Sequence, residues 1–221
     1  MSESELEYES RAVERLTLFS DAVVAIAITL LAIDLPVPEG NTVAEFWSQV
    51  RHYDGHYAAF LISFVVIAAT WSNHHEIFRY LKRADPWLRI VNTAWLLTIV
   101  LNPFATKLLT DSGPDTLDTR PLRFGFYALL QVLESVSLFA MLRHMDSRGQ
   151  APDAPRPLVS DMAWRSWSLM VAFGLSIPVF FVTSDAWVLW IAGPLLLGRL
   201  HWLPHRNHPS RQDDPPPPAG R

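Results

Sequence analysis

The chain has 221 residues, of which 50% are hydrophobic and 18% are charged, and its formal net charge is −4. Because it contains no cysteine, disulfides, thiolate metal sites and cysteine nucleophiles are excluded. The hydrophobic residues form long blocks with the charged residues between them, which is typical of a protein that crosses a membrane several times. The acidic N-terminus lacks the basic start of a signal peptide, so we expect no cleavable leader.

Six stretches are apolar enough to be membrane-spanning helices, since about 20 helical residues cross a hydrocarbon layer of ~30 Å. In chain order they are residues 16–35, 57–71, 87–109, 122–142, 162–182 and 186–203. The second stretch is short, and residues 43–50 and 77–81 are expected to lengthen it with helical structure. We therefore predict an all-α membrane protein with six transmembrane helices at 15–203, preceded by a cytoplasmic N-terminus at 1–14 and followed by a tail at 204–221.

Helix-breaking residues divide these stretches. Pro36 and Pro38 end the first, because proline cannot continue a helix and disfavours helical geometry in the residue before it. Residues 111–119 and 148–157 are predicted loops, and residues 183–185 predict a tight hairpin between the last two helices. Pro178 and Pro194 are expected to kink the helices that contain them. The proline-rich tail from Pro204 is expected to be disordered.

Basic residues are distributed unequally between the two sides of the predicted bundle. Of the 18 Lys and Arg residues, only Arg51, Lys107, Arg120 and Arg123 fall on one side, which leaves 14 on the other. Since cytoplasmic loops are enriched in Lys and Arg, this bias predicts that both termini are cytoplasmic. The expected location is the cell inner (plasma) membrane, where the chain contacts lipid.

The first span contains an acidic residue and a continuous aliphatic stripe. Asp21 lies inside the span, where a carboxylate needs a protein or water partner, unless the helix enters the membrane only after it. At about 100° per residue, Ile26, Leu30 and Ile33 lie within roughly 40° of one another, whereas Asp21 lies roughly 140° from Ile26. Thr29 flanks the stripe. By composition alone, ordinary helix packing explains the stripe.

The polar residues of this span resemble a known signature. Arg15-x-x-x-Phe19-Ser20-Asp21, followed by Ala-Ile-Ala-Ile-Thr-Leu-Leu at 25–31, is similar to the first helix of the transmembrane protein 175 family of lysosomal and prokaryotic potassium channels. Trp-Ser-Asn-His-His-x-x-Phe at 71–78 and Asn-Pro-Phe-x-Thr at 102–106 support the resemblance. The last two spans and the tail match only in hydropathy.

The resemblance implies a homotetramer in which the first helix of each subunit lines a central potassium pore that has no carbonyl filter. Family members narrow this pore with a bulky aliphatic residue, and Ile26 occupies that position here. Leu30 and Ile33 are then further pore layers, and Thr29 matches a hydroxyl position that contributes to selectivity in some members. A ring of four Ile side chains gates by dewetting, and we expect weak, leak-like discrimination between cations. Asp34 lies near the outer mouth, where it either attracts cations or is an ordinary solvated acid.

The resemblance also implies that Arg15, Phe19, Ser20 and Asp21 form a scaffold that holds the pore helix. Polar and aromatic residues on other helices are the expected partners: Trp71, Asn73, His74, His75, Asn92 and Asn102. Adjacent helical residues point about 100° apart, so at most one of the two histidines faces Asp21.

Other classes of protein are less compatible with the sequence. An enzyme needs a nucleophile with a base, or a metal site, and neither the serines of the spans nor His74 and His75 form a recognisable one. A proton-coupled secondary transporter is the main alternative, with Asp21 and Glu134 as its only deep acids. We expect no catalytic residue, no cofactor, no bound metal and no nucleic-acid partner.

Overall fold

A computed structural model of the chain describes residues 2–110 and 119–202. These residues are largely α-helical and include no strand, which confirms the prediction of an all-α fold. The helices are α1 (Glu3–Ile33), α2 (Val43–His52), α3 (Asp54–Phe78), α4 (Pro86–Thr110), α5 (Arg120–Ser147), α6 (Arg156–Phe180) and α7 (Val188–Trp202), with a 3₁₀ turn at Ser184–Trp187. Most of the predicted loop at 111–119, and the predicted disordered tail from Pro204, lie outside the described residues.

Helix α1 begins at Glu3, before the apolar stretch that starts at residue 16. Ser2 and Glu5 form a capping box, in which each side chain accepts a hydrogen bond from the backbone N–H of the other residue. Glu7 pairs with Arg11 one turn further along. The hydropathy pattern therefore marks only the apolar part of this helix and not its polar N-terminal extension.

The segments on either side of the second span differ from the prediction. Residues 43–50 do not lengthen the span, because they belong to the separate helix α2, and Tyr53 breaks the helical geometry between α2 and α3. At the other end α3 continues past residue 71, as expected, but it stops at Phe78, so only the first two residues of the expected helical stretch 77–81 are helical. There the N–H groups of Tyr80 and Leu81 donate to carbonyls three residues back, which tightens the chain into turns.

The last four helices overlap the remaining predicted spans. Pro178 lies inside α6 and Pro194 inside α7, and Pro103 lies inside α4. Between α6 and α7 the Thr183 hydroxyl accepts a hydrogen bond from the Asp185 N–H at 3.2 Å, which closes a short hairpin connection.

Four helices, α1, α3, α4 and α5, are long and apolar enough to cross a membrane. Helix α6 has 25 residues but includes Arg165 and several serines, and α7 has only 15 residues. Length and composition alone therefore support four crossings within the described residues.

The packing order places α1 at one edge of the bundle. Helix α5 packs between α4 and α6, α7 packs on α6, and α1 packs against α3 and α4. One group of buried side chains, which includes Ile67, Trp95 and Leu138, joins α1, α3, α4 and α5. A second group around Tyr127 and Trp190 joins α4 to α7. Within residues 2–110 and 119–202, α1 contacts only two helices, which leave a large part of its surface uncovered.

Asp85 fixes the connection between α3 and α4. Its carboxylate accepts a hydrogen bond from the Leu88 N–H at 2.8 Å, and His144 Nε2 of α5 lies 2.7 Å from its other oxygen. The His144 ring stacks on Trp87, with 4.2 Å between centroids. Burial alone raises the pKa of Asp85, but the bonds from Leu88, His144 and Gln150 outweigh burial and lower the pKa below its ordinary value.

Candidate functional site

One face of α1 carries large side chains that the other described helices leave uncovered. The exposed fractions are 61% for Phe19, 59% for Ile26, 41% for Leu30 and 76% for Ile33. Thr29 is exposed on the same side, and its hydroxyl donates a hydrogen bond to the Ile26 carbonyl oxygen at 2.7 Å. The Thr29 oxygen has then given its hydrogen to the helix and faces outward as an acceptor.

The opposite face of α1 packs into the subunit. Val24, Ala27 and Leu31 are almost completely buried against the other helices. On the exposed face, the small residues Ala25 and Ala32 lie beside the bulky ones. Small side chains allow another helix to approach closely in a membrane. The uncovered face of α1 therefore combines bulky aliphatic residues with positions where a neighbouring helix fits.

Asp21 joins α1 to α3. Trp71 Nε1 donates a hydrogen bond to Asp21 Oδ1 at 2.8 Å, and His75 Nδ1 lies 3.1 Å from Asp21 Oδ2. Because a carboxylate only accepts hydrogen bonds, Nδ1 of His75 carries the hydrogen here. Asp21 is thus satisfied on the side of α1 that faces its own subunit, away from Ile26.

Ser20 begins a second connection, from α1 through α4 to α3. Asn92 Nδ2 donates to Ser20 Oγ at 3.0 Å, and the Ser20 hydroxyl donates to the Leu16 carbonyl oxygen at 2.9 Å. Asn92 Oδ1 accepts from His74 Nε2 at 2.8 Å, and the His74 ring stacks on Trp95. All four side chains, those of Ser20, Asn92, His74 and Trp95, are fully buried. The two adjacent histidines therefore point to different partners, His75 to Asp21 and His74 to Asn92.

Four other residues of the predicted scaffold and its expected partners do not join these contacts. Arg15 is exposed and makes no hydrogen bond or ion pair with another described residue. Asn73 is buried but bonds neither Ser20 nor Asp21. Asn102 lies in a different polar cluster, between α4 and α5. Phe19 is on the exposed face, so its side chain belongs with Ile26 and not with the polar contacts.

Asp34, at the end of α1, forms an ion pair with Lys107 of α4. The Asp34 Oδ1 to Lys107 Nζ distance is 2.9 Å, and both side chains are about half exposed. The lysine therefore balances part of the negative charge that the Asp34 carboxylate places at this end of the helix.

A second polar cluster, which we call the Glu134 cluster, joins α3, α4 and α5. Glu134 Oε1 contacts the Thr70 hydroxyl, and Asn102 Nδ2 donates to Glu134 Oε2 at 3.0 Å. Gln131 Nε2 donates to Asn102 Oδ1 at 2.8 Å. One or two turns away, Ser63 bonds Tyr127 and Thr106, at 2.9 and 2.8 Å. Glu134, one of the two predicted deep acids, and Asn102, one of the predicted partners, therefore bond each other and not α1.

Sequence reasoning named Glu134 and Asn102 but missed their partners. The signal was available, because Tyr127, Gln131 and Glu134 recur at i, i+4 and i+7 and so share one face of α5. A polar stripe inside an apolar helix predicts contact with another polar stripe. Which helix supplies it depends on how the bundle packs.

The site contains no catalytic arrangement in the described residues. Asp21 is bonded by Trp71 and His75, and the Glu134 carboxyl lies between Thr70 and Asn102. In addition, no group of three or more side chains of the His, Asp and Glu types converges within the described ranges as such groups do around a metal ion. The arrangement bonds one side of α1 to α3 and α4 and leaves its aliphatic side exposed.

Comparisons with known proteins agree with the first-helix signature. The profile of the family described as "Endosomal/lysosomal potassium channel TMEM175" matches residues 15–103. A potassium channel of Streptomyces collinus is 30% identical over 175 residues, which is 77% of this chain and 83% of the relative. A TMEM175 protein of Gallus gallus, named as an endosomal/lysosomal proton channel, is 33% identical over 106 residues, which is 44% of this chain and 21% of that protein.

A solved structure has the same fold. It is a TMEM175 homologue from Chamaesiphon minutus, described as a lysosomal potassium-selective channel homologue, and it superimposes with a TM-score of 0.65. The match covers 90% of this chain and 100% of that chain, at 23% identity. At this level of identity the superposition shows the fold alone.

Proposed function

Because this chain belongs to the TMEM175 family of potassium channels, whose members are ion channels and not enzymes, we propose that it conducts potassium through a pore on the axis of a homotetramer. In this proposal α1 of each subunit lines the pore, and Ile26 forms its narrowest ring. The chain crosses the membrane six times, α6 and α7 included, with both termini in the cytoplasm and the membrane being the inner (plasma) membrane.

The observation that carries the proposal is the contrast between the two sides of α1. Its polar side chains Ser20 and Asp21 are bonded inside the subunit, whereas Ile26, Leu30 and Ile33 are left uncovered. Among the four apolar helices, α1 has the smallest share of buried residues in its most apolar 18 residues. That share is 22% in α1 and 50% in α5. A helix at the edge of its bundle is free to meet copies of itself around an axis.

Four copies of this face would make an aliphatic pore. A ring of four Ile26 side chains offers no oxygen to replace the water around an ion, so its width decides whether the pore is wet or dry. Potassium releases its water more readily than sodium, which favours potassium at such a ring. Because nothing replaces the lost water site by site, the discrimination is weak and the conduction leak-like.

Thr29 adds the only polar side chain among the proposed pore-lining residues. Its hydrogen is donated to the Ile26 carbonyl, so the outward oxygen is an acceptor that suits a cation. At the outer end, the ion pair with Lys107 reduces the cation attraction expected of Asp34. We therefore place selectivity at Ile26 and Thr29 and give Asp34 a minor role.

A proton-coupled transporter is the competing function. A carrier needs an acid that water reaches from alternating sides of the membrane. Glu134 has no exposed surface, and Asp21 is held by Trp71 and His75. These contacts favour a channel over a carrier.

Flux in liposomes tests the proposal. Purified protein in potassium-loaded vesicles should release potassium passively, without any added co-substrate, and Ile26→Ala should increase the rate by widening the ring. Ile191→Ala on α7 removes the same atoms from a half-exposed position outside α1 and is expected to leave the rate unchanged. Potassium movement that requires a second solute, or equal behaviour of the two variants, would contradict the proposed pore.

A further inference from the structure

The Glu134 cluster encloses an ionisable group that conduction through α1 does not use. Within the described ranges, Glu134 is the only acidic residue with no exposed surface. Its carboxyl group lies between Thr70 of α3 and Asn102 of α4. An acid inside a membrane bundle is costly to place and needs a compensating partner, so its position calls for an explanation.

The single hydroxyl hydrogen of Thr70 limits how the Glu134 carboxyl group can be bonded. Thr70 Oγ1 lies 3.1 Å from the carbonyl oxygens of both Val66 and Ile67 and also contacts Glu134 Oε1. A hydroxyl has one hydrogen to donate, and both carbonyls can only accept. When the Thr70 hydrogen is donated along its own helix, the contact with Glu134 requires a hydrogen on the carboxyl group.

The other carboxyl oxygen, Oε2, accepts a hydrogen bond. Asn102 Nδ2 donates to Glu134 Oε2, while Asn102 Oδ1 accepts from Gln131 Nε2. A neutral carboxylic acid, with a hydroxyl on Oε1 and a carbonyl on Oε2, therefore fits both partners. An ionised carboxylate could be bonded only if the Thr70 hydrogen turned away from the helix carbonyls toward Oε1.

No positive charge of the described residues compensates an ionised Glu134. None of the ion pairs includes it. On α3 the nearest ionisable residue along its face is His74, which bonds Asn92, and on α5 it is Tyr127, which bonds Ser63. Helix α4 contributes Asn102 and Thr106, and Arg165 of α6 is exposed. A buried carboxylate without a cation is far costlier than a neutral acid.

We propose that Glu134 is a proton-binding site in the subunit core, in which the neutral carboxyl donates to Thr70 and accepts from Asn102, and that loss of this proton loosens α3 from α5. Thr70 immediately precedes Trp71, whose indole bonds Asp21 of α1. The proton on Glu134 thus helps to hold the surface against which α1 is anchored. The proposal concerns the core of one subunit and does not rest on the proposed pore.

Infrared spectroscopy of the full-length protein in lipid tests the bound proton directly. At neutral pH the wild type should show a protonated-carboxyl C=O band that Glu134→Gln removes, since glutamine keeps the shape and neutrality of the acid. Glu45→Gln, at an exposed position on α2, is the control and should keep the band. Identical spectra of the wild type and Glu134→Gln in this region would overturn the proposal.

A second variant keeps the test decisive if Glu134→Gln does not fold. A hydrogen bond to a carbonyl lowers its stretching frequency, so Asn102→Leu should shift the band upward. A band that stays in place shows that it does not come from a Glu134 carbonyl bonded to Asn102.

Thermal unfolding tests the role of the proton in packing. From neutral to alkaline pH the midpoint should fall in the wild type, in Glu45→Gln and in Tyr127→Phe, but much less in Glu134→Gln. The Tyr127 variant excludes ionisation of the phenol as the cause. An equal fall in all four proteins would show that Glu134 does not release a proton that matters for packing. Because neither measurement uses ion flux, their failure is distinct from failure of the proposed channel function.

Discussion

Trp71 on α3 donates a hydrogen bond of 2.8 Å from its indole Nε1 to the carboxylate of Asp21 on α1. The bond fixes which side of α1 faces its own subunit. Helical geometry then leaves Ile26 on the other side, roughly 140° away by rotation at about 100° per residue. The polar signature and the aliphatic stripe are thus two consequences of one helix orientation.

Replacing Asp21 tests the anchoring of α1. Asp21→Asn removes the charge that Trp71 and His75 bond, and we expect a loss of about 1 kcal/mol of stability, the usual scale for polar contacts between membrane helices. The thermal midpoint and the yield of assembled protein should fall. Glu14→Gln, at an exposed position of α1, is the matched control and should behave as wild type. A changed ion preference in normally assembled Asp21→Asn would contradict the assignment of Asp21 to the inner face.

The contact between Ser20 and Asn92 is expected to be structural. Ser20→Ala leaves the buried Asn92 amide without its acceptor, which costs about 1–3 kcal/mol. Thermal unfolding in detergent measures the loss. Asn92→Leu also costs stability, because it leaves the buried His74 Nε2 without its partner, and the double variant should lose less than the sum of the two single losses. A loss in the double variant equal to the sum of the two single losses would show that the two side chains do not interact.

The ion pair between Asp34, at the C-terminal end of α1, and Lys107 predicts a salt-dependent effect on conduction in the proposed pore. Lys107→Gln leaves the Asp34 charge unbalanced, so potassium flux should rise at low ionic strength and return to the wild-type rate at high salt. Stability should change by less than about 1 kcal/mol, because both side chains are about half exposed. Asp34→Asn is expected to have the opposite effect on flux. A rate that is independent of salt in both variants would remove this pair from the conduction path.

The lowered pKa of Asp85 predicts how the stability of the protein depends on pH. Its pKa is lowered in the folded chain, so the folded state favours the carboxylate more than the unfolded state does. The stabilisation is fully present above the ordinary carboxyl pKa and is lost as the pH falls through the lowered value. Asp85→Asn should therefore lower the thermal midpoint at neutral pH, and its difference from the wild type should shrink in acid.

Asp153→Asn is the control for this measurement. Asp153 pairs with Lys82, but both side chains are largely exposed, so its loss should change the midpoint little at any pH. A constant difference between Asp85→Asn and the wild type down to strong acid would contradict the account of Asp85.

The sequence predicts the helices better than it predicts their contacts. Hydropathy located the apolar part of α1 but not its start at Glu3, because the capping box and the Glu7–Arg11 pair are local signals unrelated to membrane depth. Hydropathy also predicts that the residues of α2 lengthen the second span, because the break in helical geometry at Tyr53 does not change the hydropathy pattern.

The rotation between successive residues of a helix limits which partners a side chain can reach, but it does not determine which partner the side chain bonds. Geometry requires that at most one of His74 and His75 faces Asp21, but only the position of α4 decides that His74 turns to Asn92. Asn102 was expected beside the first-helix signature, yet α5 supplies Gln131 and Glu134 as its partners instead. Such choices depend on helix packing, which a single sequence does not contain.

The absence of cysteine from the chain allows one direct test of the central claim, that the Ile26 face of α1 lines a water-filled axis. Silver ion is a thiol-reactive cation small enough to enter a potassium pore. Potassium flux through Ile26→Cys should be blocked by silver and should not recover on washing, while the wild type and Ile191→Cys keep conducting. Undiminished flux through Ile26→Cys, in a protein that folds and assembles normally, would show that this side chain does not face the conduction path.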